Sequence, residues 1–358
     1  MPVAPQTKPK DSVMTKNRYP KGALLVGSVP LENSQAVFDL AHAALGSHLS
    51  RMPDGETGER SNWIRWQFAV LAQTPQLEAV ILPAKSGGKG QTVIKLRDGF
   101  SAAEIDFGPL GYYTAAKASY EQFAQLKQAG NLPPDCRFQV SLPTPLAPLQ
   151  FYVAAEDRAA IEPIYEAKLL QELDAIVALV PADELAIQWD TAAEFGIIEG
   201  VFPTFLSDIE ADILARLIRL GNAVPVGVEL GYHLCYGDSG HTHFVEPKDT
   251  SHLVEVANGI AAGLERPLHW IHLPVPIARD DYAYYQPLQS LQLHQETELY
   301  LGLIHHSDGV EGAKRRIDVA KTVIENFGVA TECGFGRRAP DTIPELMQIH
   351  TAVSHPIR

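Results

Sequence analysis

Cysteine is scarce in this chain of 358 residues, which contains only Cys136, Cys235 and Cys333. Three cysteines cannot build a disulfide framework for so long a chain, so we expect free thiols and a reducing, cytoplasmic setting. The sequence also lacks any run of 18 apolar residues, and its first 20 residues lack the apolar core of a signal peptide. These absences favour a protein that is neither secreted nor embedded in a membrane.

An excess of positive charge is missing as well. Lysine and arginine total 29 against 43 aspartates and glutamates, which gives a formal net charge of −14. That balance disfavours nucleic acids and anionic membranes as main partners, because both attract basic surfaces. We therefore expect small-molecule partners. With 46% hydrophobic and 20% charged residues, the chain has the composition of a globular protein with a large buried core.

Short apolar runs alternate with helix-like stretches along the chain, and this alternation predicts the fold. Eight runs occur, at about 23–29, 47–53, 137–142, 185–190, 225–235, 268–275, 298–305 and 327–333. Stretches with helical spacing of apolar residues lie between and after them, the first at about 33–45 and the last near 341–352. Eight strand–helix units predict an α/β fold, a single (β/α)8 or TIM barrel over residues 21–358, after a flexible N-terminal tail of residues 1–20.

Two further features bear on the predicted barrel. Residues 83–113 contain several glycines and break the rhythm, so we expect an excursion after the second strand, such as a hairpin over the barrel mouth. An open doubly wound sheet would alternate strands and helices in the same way. That fold usually carries a G-x-G-x-x-G turn after its first strand, whereas this chain has Val26-Gly27-Ser28-Val29-Pro30 there, so the closed barrel is favoured.

Polar residues stand at the end of every predicted strand, where a parallel barrel places its chemistry. In chain order they are Ser28, Asp54 and Glu56, Thr144, Asp190, His233 and Cys235, His272, His305 and His306, and Cys333. Because the carboxyl ends of the strands meet at one face of a barrel, these side chains are candidates for a single site.

His233 and Cys235 are two residues apart on a predicted strand, so their side chains point to the same side. Imidazole and thiolate are zinc ligands, and together with Cys333 from the eighth strand they predict a site for Zn2+. For the fourth ligand His272 ranks first, and Glu246 in the loop after the fifth strand ranks second. The alternatives are a packed histidine beside a small buried cysteine, and a His272 that bonds a backbone carbonyl.

Six short motifs in the same order carry a resemblance to a known family. They are Val-Gly-Ser-x-Pro at 26–30, Gly-Glu at 55–56, Gln188-x-Asp190 with Glu194, His233-x-Cys235, His306-Ser307 and Cys333-Gly334. Over residues 22–340 the chain resembles the catalytic, C-terminal barrel of cobalamin-independent methionine synthase, in the superfamily of uroporphyrinogen decarboxylase and the zinc-dependent thiol alkyltransferases. It departs from that family at the end of the sixth strand, where the zinc-ligating glutamate is absent, and the amino-terminal barrel of the long enzymes is missing from these residues.

The resemblance implies a zinc site made by the histidine and the two cysteines described above. It also implies a subsite for the amino-acid part of a thiol substrate, made by Ser28, Glu56 and Asp190. His306 would donate a proton or clamp the substrate, and together with Asp190 and Glu56 it forms the implied catalytic set. From the residues alone, the two carboxylates could instead form structural ion pairs with Arg51, Arg60 or Arg65.

The favoured function is zinc-dependent transfer of a methyl or alkyl group to a homocysteine-like thiol, as in methionine biosynthesis. The donor would be folate, a corrinoid protein or another activated electrophile. Two alternatives stay open: a cofactor-free decarboxylase or lyase of the same superfamily that uses Asp190 or Glu56 with an arginine clamp, and a binding protein without turnover. A further cluster of His241, His243 and His252 is interpreted as solvated histidines rather than a surface metal site.

Overall fold

The computed structural model describes residues 19–83, 90–240 and 242–357. The predicted tail of residues 1–20 therefore lies outside the described residues, except for Tyr19 and Pro20. The same holds for residues 84–89 of the predicted excursion and for His241.

Most strands of the described residues belong to one parallel sheet. In chain order the strands are β1 (Arg51–Pro53), β2 (Leu77–Leu82), β3 (Gln91–Leu96), β4 (Arg137–Pro143), β5 (Leu185–Thr191), β6 (Glu229–Leu234), β7 (Trp270–Pro274), β8 (Glu298–Ile304) and β9 (Gly328–Thr331). Seven of them pair in the order β1-β4-β5-β6-β7-β8-β9, each parallel to its neighbours. Strands β5, β7 and β9 are buried along their whole length, as expected for a sheet covered on both faces. The predicted α/β fold with a parallel sheet is confirmed.

Helices alternate with these strands. They are α1 (Ser34–Leu45), α2 (Gln67–Gln73), α3 (Tyr112–Gln128), α4 (Leu146–Tyr152), α5 (Arg158–Leu179), α6 (Ala193–Ile198), α7 (Ile209–Ala223), α8 (Ser251–Gly263), α9 (Tyr282–Tyr285), α10 (Gly309–Ala320) and α11 (Ile343–Val353). The side chains of Asn33 and Asp208 cap α1 and α7 by accepting a backbone N–H three residues later. Between β7 and β8 the chain forms only the short helix α9 and a 3-10 turn, since Pro287 cannot donate to a continuing helix. None of these helices has the length and apolar character needed to cross a bilayer.

The first predicted strand, residues 23–29, forms only isolated bridges. Ala23 bridges to Leu49 near one edge strand and to Val329 in the other edge strand, so this segment lies between the two edges of the sheet. A regular ladder does not continue, because the carbonyls of residues 25 and 26 accept hydrogen bonds from the side chains of Gln139 and Gln188 instead.

The amino ends of the strands are closed by a buried ionic and aromatic cluster. Arg51 at the start of β1 is 4% exposed and binds the carboxylates of Glu229 and Glu298, at 2.5 and 2.7 Å. Its guanidinium carbon lies 4.2 Å from the ring centroid of Trp270. The Trp270 ring lies directly over Gly231. A Cβ at position 231 would be 2.0 Å from the ring, so only glycine fits at this position. This cluster closes the end of the sheet opposite to the functional residues.

The predicted excursion after the second strand is an antiparallel hairpin of β2 and β3, with Leu77 opposite Leu96. It begins earlier than expected, at residue 77. The hairpin contacts the chain just after α4, where Ala154 N donates a hydrogen bond to Ile94 O at 2.9 Å. Its described strand residues do not line the cavity at the carboxyl ends of the parallel strands, where residues 61–65 contribute to the wall instead.

Candidate metal centre and substrate cavity

A cavity of about 500 Å3 opens at the carboxyl ends of the parallel strands. Its wall is built largely from the segments that follow the strands, as the sequence predicts. Most of the predicted site residues line it, namely Ser28, Glu56, Asp190, His233, Cys235 and Cys333. The other strand-end candidates are not part of its lining, namely Asp54, Thr144, His272, His305 and His306.

A histidine and two cysteines converge at the wall of this cavity. One ligand atom from each of His233, Cys235 and Cys333 lies within 4.8 Å of the others, and within the described residues no other set of three or more meets this test. The two sulfurs are 3.8 Å apart. Two thiolates that share one tetrahedral zinc ion at about 2.3 Å lie about 3.8 Å apart, so the donor set and its spacing fit zinc.

His233 is 3% exposed and packs against His272, its neighbour across the pairing of β6 and β7. The Nδ1 atoms of the two rings are 2.7 Å apart, and Nε2 of His272 lies 3.0 Å from the carbonyl oxygen of Thr331. Nε2 of His233 is buried and has no hydrogen-bond partner. Burial lowers the pKa of His272 to about 3 and the pKa of His233 well below its usual value, so both rings are neutral at pH 7. The unpartnered Nε2 is the atom that His233 offers to a metal.

The fourth ligand expected from the sequence is not in this group. Both ring nitrogens of His272 are already hydrogen-bonded, so this residue has no lone pair left for a metal. Glu246 has a side chain that is 66% exposed, and it lies 3.5 Å from Nδ1 of His243. With three protein ligands and a cavity beside them, the arrangement is that of an open site rather than a closed structural one.

The two thiols are held in a shared, buried environment. Gly237 N donates to the sulfur of Cys235 at 3.2 Å. The hydrogen bond between Cys235 and Cys333, together with burial, raises the pKa of Cys235 well above its usual value. Without a cation the thiol of Cys235 therefore stays protonated, whereas a bound divalent ion deprotonates a coordinating thiol.

A pair of carboxylates occupies another part of the cavity wall. Ser28 Oγ donates to Glu56, and Gln188 Nε2 donates to Asp190 at 2.9 Å. Burial raises the pKa of Glu56 to about 7 and the pKa of Asp190 well above its usual value, and the charge of Glu56 raises the latter further. Neither carboxylate forms an ion pair within the described residues, since the charges of Arg60 and Arg337 act on Glu56 only at a distance, and a ligand ammonium would supply a direct cationic partner.

Two of the three arginines considered as structural partners of these carboxylates bind other groups, and the third, Arg65, lines the cavity. Arg51 lies at the opposite end of the strands, as described above, and Arg60 binds Asp54 at 2.7 Å. Asp54 shapes the turn, because its other oxygen accepts the N–H of Glu56 at 2.8 Å. Glu56 has a φ of +46°, a conformation that side chains other than glycine rarely adopt, and such backbone strain is common at functional sites.

The two histidines that follow β8 point away from the cavity. His306 Nε2 pairs with Glu345 at 3.0 Å, and its side chain is 30% exposed. His305 is buried and donates from Nε2 to the carbonyl of Val275 at 2.8 Å. The pairing of β8 with β9 is irregular between Leu301 and Ile304, so counting alternate residues along the strand does not give the direction of these side chains.

His243 was underestimated from the sequence, since it lines the cavity. Its Nε2 lies 3.5 Å from Glu332, whose pKa is raised to about 8 by burial. Its position in the loop after the fifth strand was the only signal for it. Of the other two histidines in the expected cluster, His252 pairs with Glu255 on α8 and His241 lies outside the described residues.

Aromatic side chains form a continuous wall on the outer side of the cavity. Trp63 contacts Phe151, which contacts Phe202, which contacts Phe244, with ring centroids 6.4, 5.4 and 4.9 Å apart. Trp63 has a φ of +51° and also lies close to Asp190. Trp63 therefore belongs to the wall of the candidate site.

Comparison with known proteins gives a likeness at the level of structure. No protein-family model and no curated protein matches the sequence. A B12-independent methionine synthase from a Shewanella species, solved in complex with selenomethionine, superimposes with a TM-score of 0.62 and 13% identity over 93% of this chain and 96% of that one. A putative vitamin-B12 independent methionine synthase from Listeria monocytogenes gives a TM-score of 0.57 and 13% identity over 94% and 96%. At this identity the likeness shows the fold, and at that level the resemblance predicted from the sequence is confirmed.

Proposed function

We propose that the protein is a zinc-dependent transferase that moves a methyl or alkyl group onto the thiol of an amino acid, with homocysteine as the default acceptor. One observation carries the proposal: a ring nitrogen of His233 and the sulfurs of Cys235 and Cys333 converge beside the cavity that also contains the carboxylate pair. The two similar structures, both described as methionine synthases, support the same class of reaction.

Zinc would be held by His233, Cys235 and Cys333, with the fourth position left to the substrate. The ion would supply one piece of chemistry, the deprotonation of a bound thiol near neutral pH, which makes the thiol nucleophilic. Two cysteinates and a neutral imidazole leave the formal charge of this centre at zero.

Ser28, Glu56 and Asp190 would bind the other end of the acceptor. An ammonium group between the two carboxylates returns both to the ionised state and makes charge-assisted hydrogen bonds with them. Asp190 lies near enough to Cys333 for that thiolate to raise its pKa, so the amino and thiol ends of a short amino acid can reach both places. The carboxylates thereby orient the thiol toward the metal ligands.

We assign proton transfer to the leaving group to His243 in place of His306. His243 lines the cavity, whereas His306 is paired with Glu345 outside it. Burial lowers the pKa of His243, and the carboxylates of Glu246 and Asp238 oppose that effect. As a neutral base, His243 would accept the proton that the acceptor thiol loses, and the imidazolium formed in this way would donate that proton to the leaving group.

The finer architecture that we propose is a closed eight-stranded barrel. Ala23 supports it, because this residue bridges to Leu49 on one side and to Val329 on the other. The segment at residues 22–25 would then complete the ring that β1 and β9 leave open.

A lyase or decarboxylase of the same superfamily is the second candidate, and two arginines favour it. Arg65 and Arg337 line the cavity and could clamp a substrate carboxylate. Such an enzyme has no need for the histidine and the two cysteines together, so dependence on metal separates the two functions.

The test is metal analysis of the purified protein together with transfer assays on L-homocysteine, using methyl-folate, methylcobalamin and a methyl sulfonium as donors. We expect one zinc ion per chain, lost in Cys235→Ser and in Cys333→Ser together with transfer activity. The matched control is Cys136→Ser. Cys136 is buried outside the cavity, so this variant should keep its zinc and its transfer activity. Activity that survives complete removal of metal would reject the transferase and support the lyase.

A further inference from the structure

Two buried histidines on neighbouring strands form a directed hydrogen-bond relay behind the cysteines. His233 on β6 pairs in register with His272 on β7, and their Nδ1 atoms are 2.7 Å apart. Nε2 of His272 lies 3.0 Å from the carbonyl oxygen of Thr331 on β9. His272 is fully buried and His233 is 3% exposed, so water does not compete for these bonds.

The direction of the relay follows from counting protons. A backbone carbonyl only accepts, so Nε2 of His272 must carry the hydrogen of that bond. A neutral imidazole has one N–H, which leaves Nδ1 of His272 as an acceptor. The hydrogen between the two rings therefore belongs to Nδ1 of His233. Nε2 of His233 then carries a bare lone pair, and since it is the ring nitrogen that is buried without a partner, it is the atom left to bind a metal beside the two sulfurs.

We propose that His272 is a positioning residue that holds His233 in the one tautomer able to bind a metal through Nε2. Metal-binding histidines usually donate their second N–H to a carboxylate, a backbone carbonyl or water. Here a second imidazole takes that place and passes the bond on to Thr331. This inference rests on the proposed function only for the identity of the metal, because the tautomer exists with or without it.

The relay also links the two strands that supply the ligands. Thr331 precedes Cys333 by two residues, and its hydroxyl donates to the carbonyl of Cys333 at 2.6 Å. His272 thus connects the imidazole ligand of β6 to the segment that carries the second thiol. If His272 bound the metal directly, it would have to break one of its two bonds and leave a buried polar group unpaired, which is costly.

The first test compares His272→Leu with His272→Asn. Leucine removes the acceptor, whereas the amide oxygen of asparagine lies at the place of Nδ1 and can accept from His233. The probe is Co2+, whose thiolate charge-transfer and ligand-field bands report the number and kind of ligands, with Zn2+ affinity measured by chelator competition. The control is His350→Leu, because His350 is also fully buried but binds the carbonyl of Leu346 outside the cavity.

We expect His272→Leu to weaken metal affinity about 10- to 100-fold, the usual effect of removing such a partner, with one ion per chain and unchanged cobalt bands at saturation. His272→Asn should recover most of the affinity, and His350→Leu should keep all of it. Wild-type affinity in His272→Leu would overturn the proposal. A changed ligand field in both His272 variants would also overturn it, since His272 would then be a ligand.

The second test needs no metal. Side-chain 15N NMR of the metal-free protein should show His233 protonated at Nδ1 and bare at Nε2, and His272 protonated at Nε2. In His272→Leu, His233 should populate the other tautomer as well. Protonation of His233 at Nε2 in the wild type would contradict the relay. A wild-type protein with the expected tautomers that binds no metal would reject the proposed function and leave the relay in place.

Discussion

We predict that the Glu56 carboxyl group lowers the stability of the folded chain above about pH 4.5, although it is needed to bind the substrate. Burial raises its pKa from 4.5 to about 7, and that shift corresponds to about 3 kcal/mol. Below about pH 4.5 the group is protonated in both the folded and the unfolded chain, so the shift has no effect. As the pH rises, the unfolded chain ionises first, and the free energy of unfolding falls until about pH 7. The neutral variant Glu56→Gln escapes this loss.

We therefore expect Glu56→Gln to be more stable than the wild type at pH 8, by up to about 3 kcal/mol, and nearly equal to it at pH 4.5. The measurement is urea unfolding from pH 4.5 to pH 8 on protein freed of metal and substrate. Glu59→Gln is the control, because Glu59 lies on the exposed surface three residues away. At the same time Glu56→Gln should weaken L-homocysteine binding. A variant that is less stable than the wild type at pH 8, or a stability difference independent of pH, would refute the assignment of Glu56 as a buried carboxyl that lacks a cation.

Four other substitutions test separate parts of the proposed site and fold. Asp190→Asn should weaken L-homocysteine binding about 10- to 100-fold, because it removes one charge-assisted hydrogen bond, while zinc content stays at the wild-type level in the same preparation. His243→Gln should lower kcat for transfer with little change in KM for the thiol, and His306→Gln should change neither value in steady-state kinetics. The reverse result would return the role of proton donor to His306. Arg51→Met should reduce the free energy of unfolding by about 2 kcal/mol in urea titrations, since it removes the buried cation that links Glu229 and Glu298 and leaves Glu229 with Arg137 alone, and a neutral effect would contradict the ionic cluster.

The fold and the core of the site were accessible from the sequence for one physical reason. Parallel strands buried on both faces appear as apolar runs, and their carboxyl ends meet at one face, so residues far apart in the chain can be brought together by reasoning alone. That is why His233, Cys235 and Cys333 were identified as one group, and why Glu56 and Asp190 were placed beside them.

The roles of the three other histidines depend on contacts with other parts of the chain, which the pattern of a single strand does not predict. His272 was expected at the site from its strand, but whether its nitrogens are free depends on the carbonyl of Thr331 in another strand. His306 follows a strand with irregular pairing, so its direction could not be counted from the pattern. His243 stands in a loop, where no periodicity gives the direction of a side chain.

The most direct test of the account is zinc K-edge X-ray absorption of the protein before and after addition of L-homocysteine. The account predicts a single zinc with two sulfur neighbours at about 2.3 Å and at least one nitrogen at about 2.0 Å, and a third sulfur once the thiol is added. Absence of zinc from the purified protein, or a sulfur count that homocysteine leaves unchanged, would contradict a metal centre that activates the thiol.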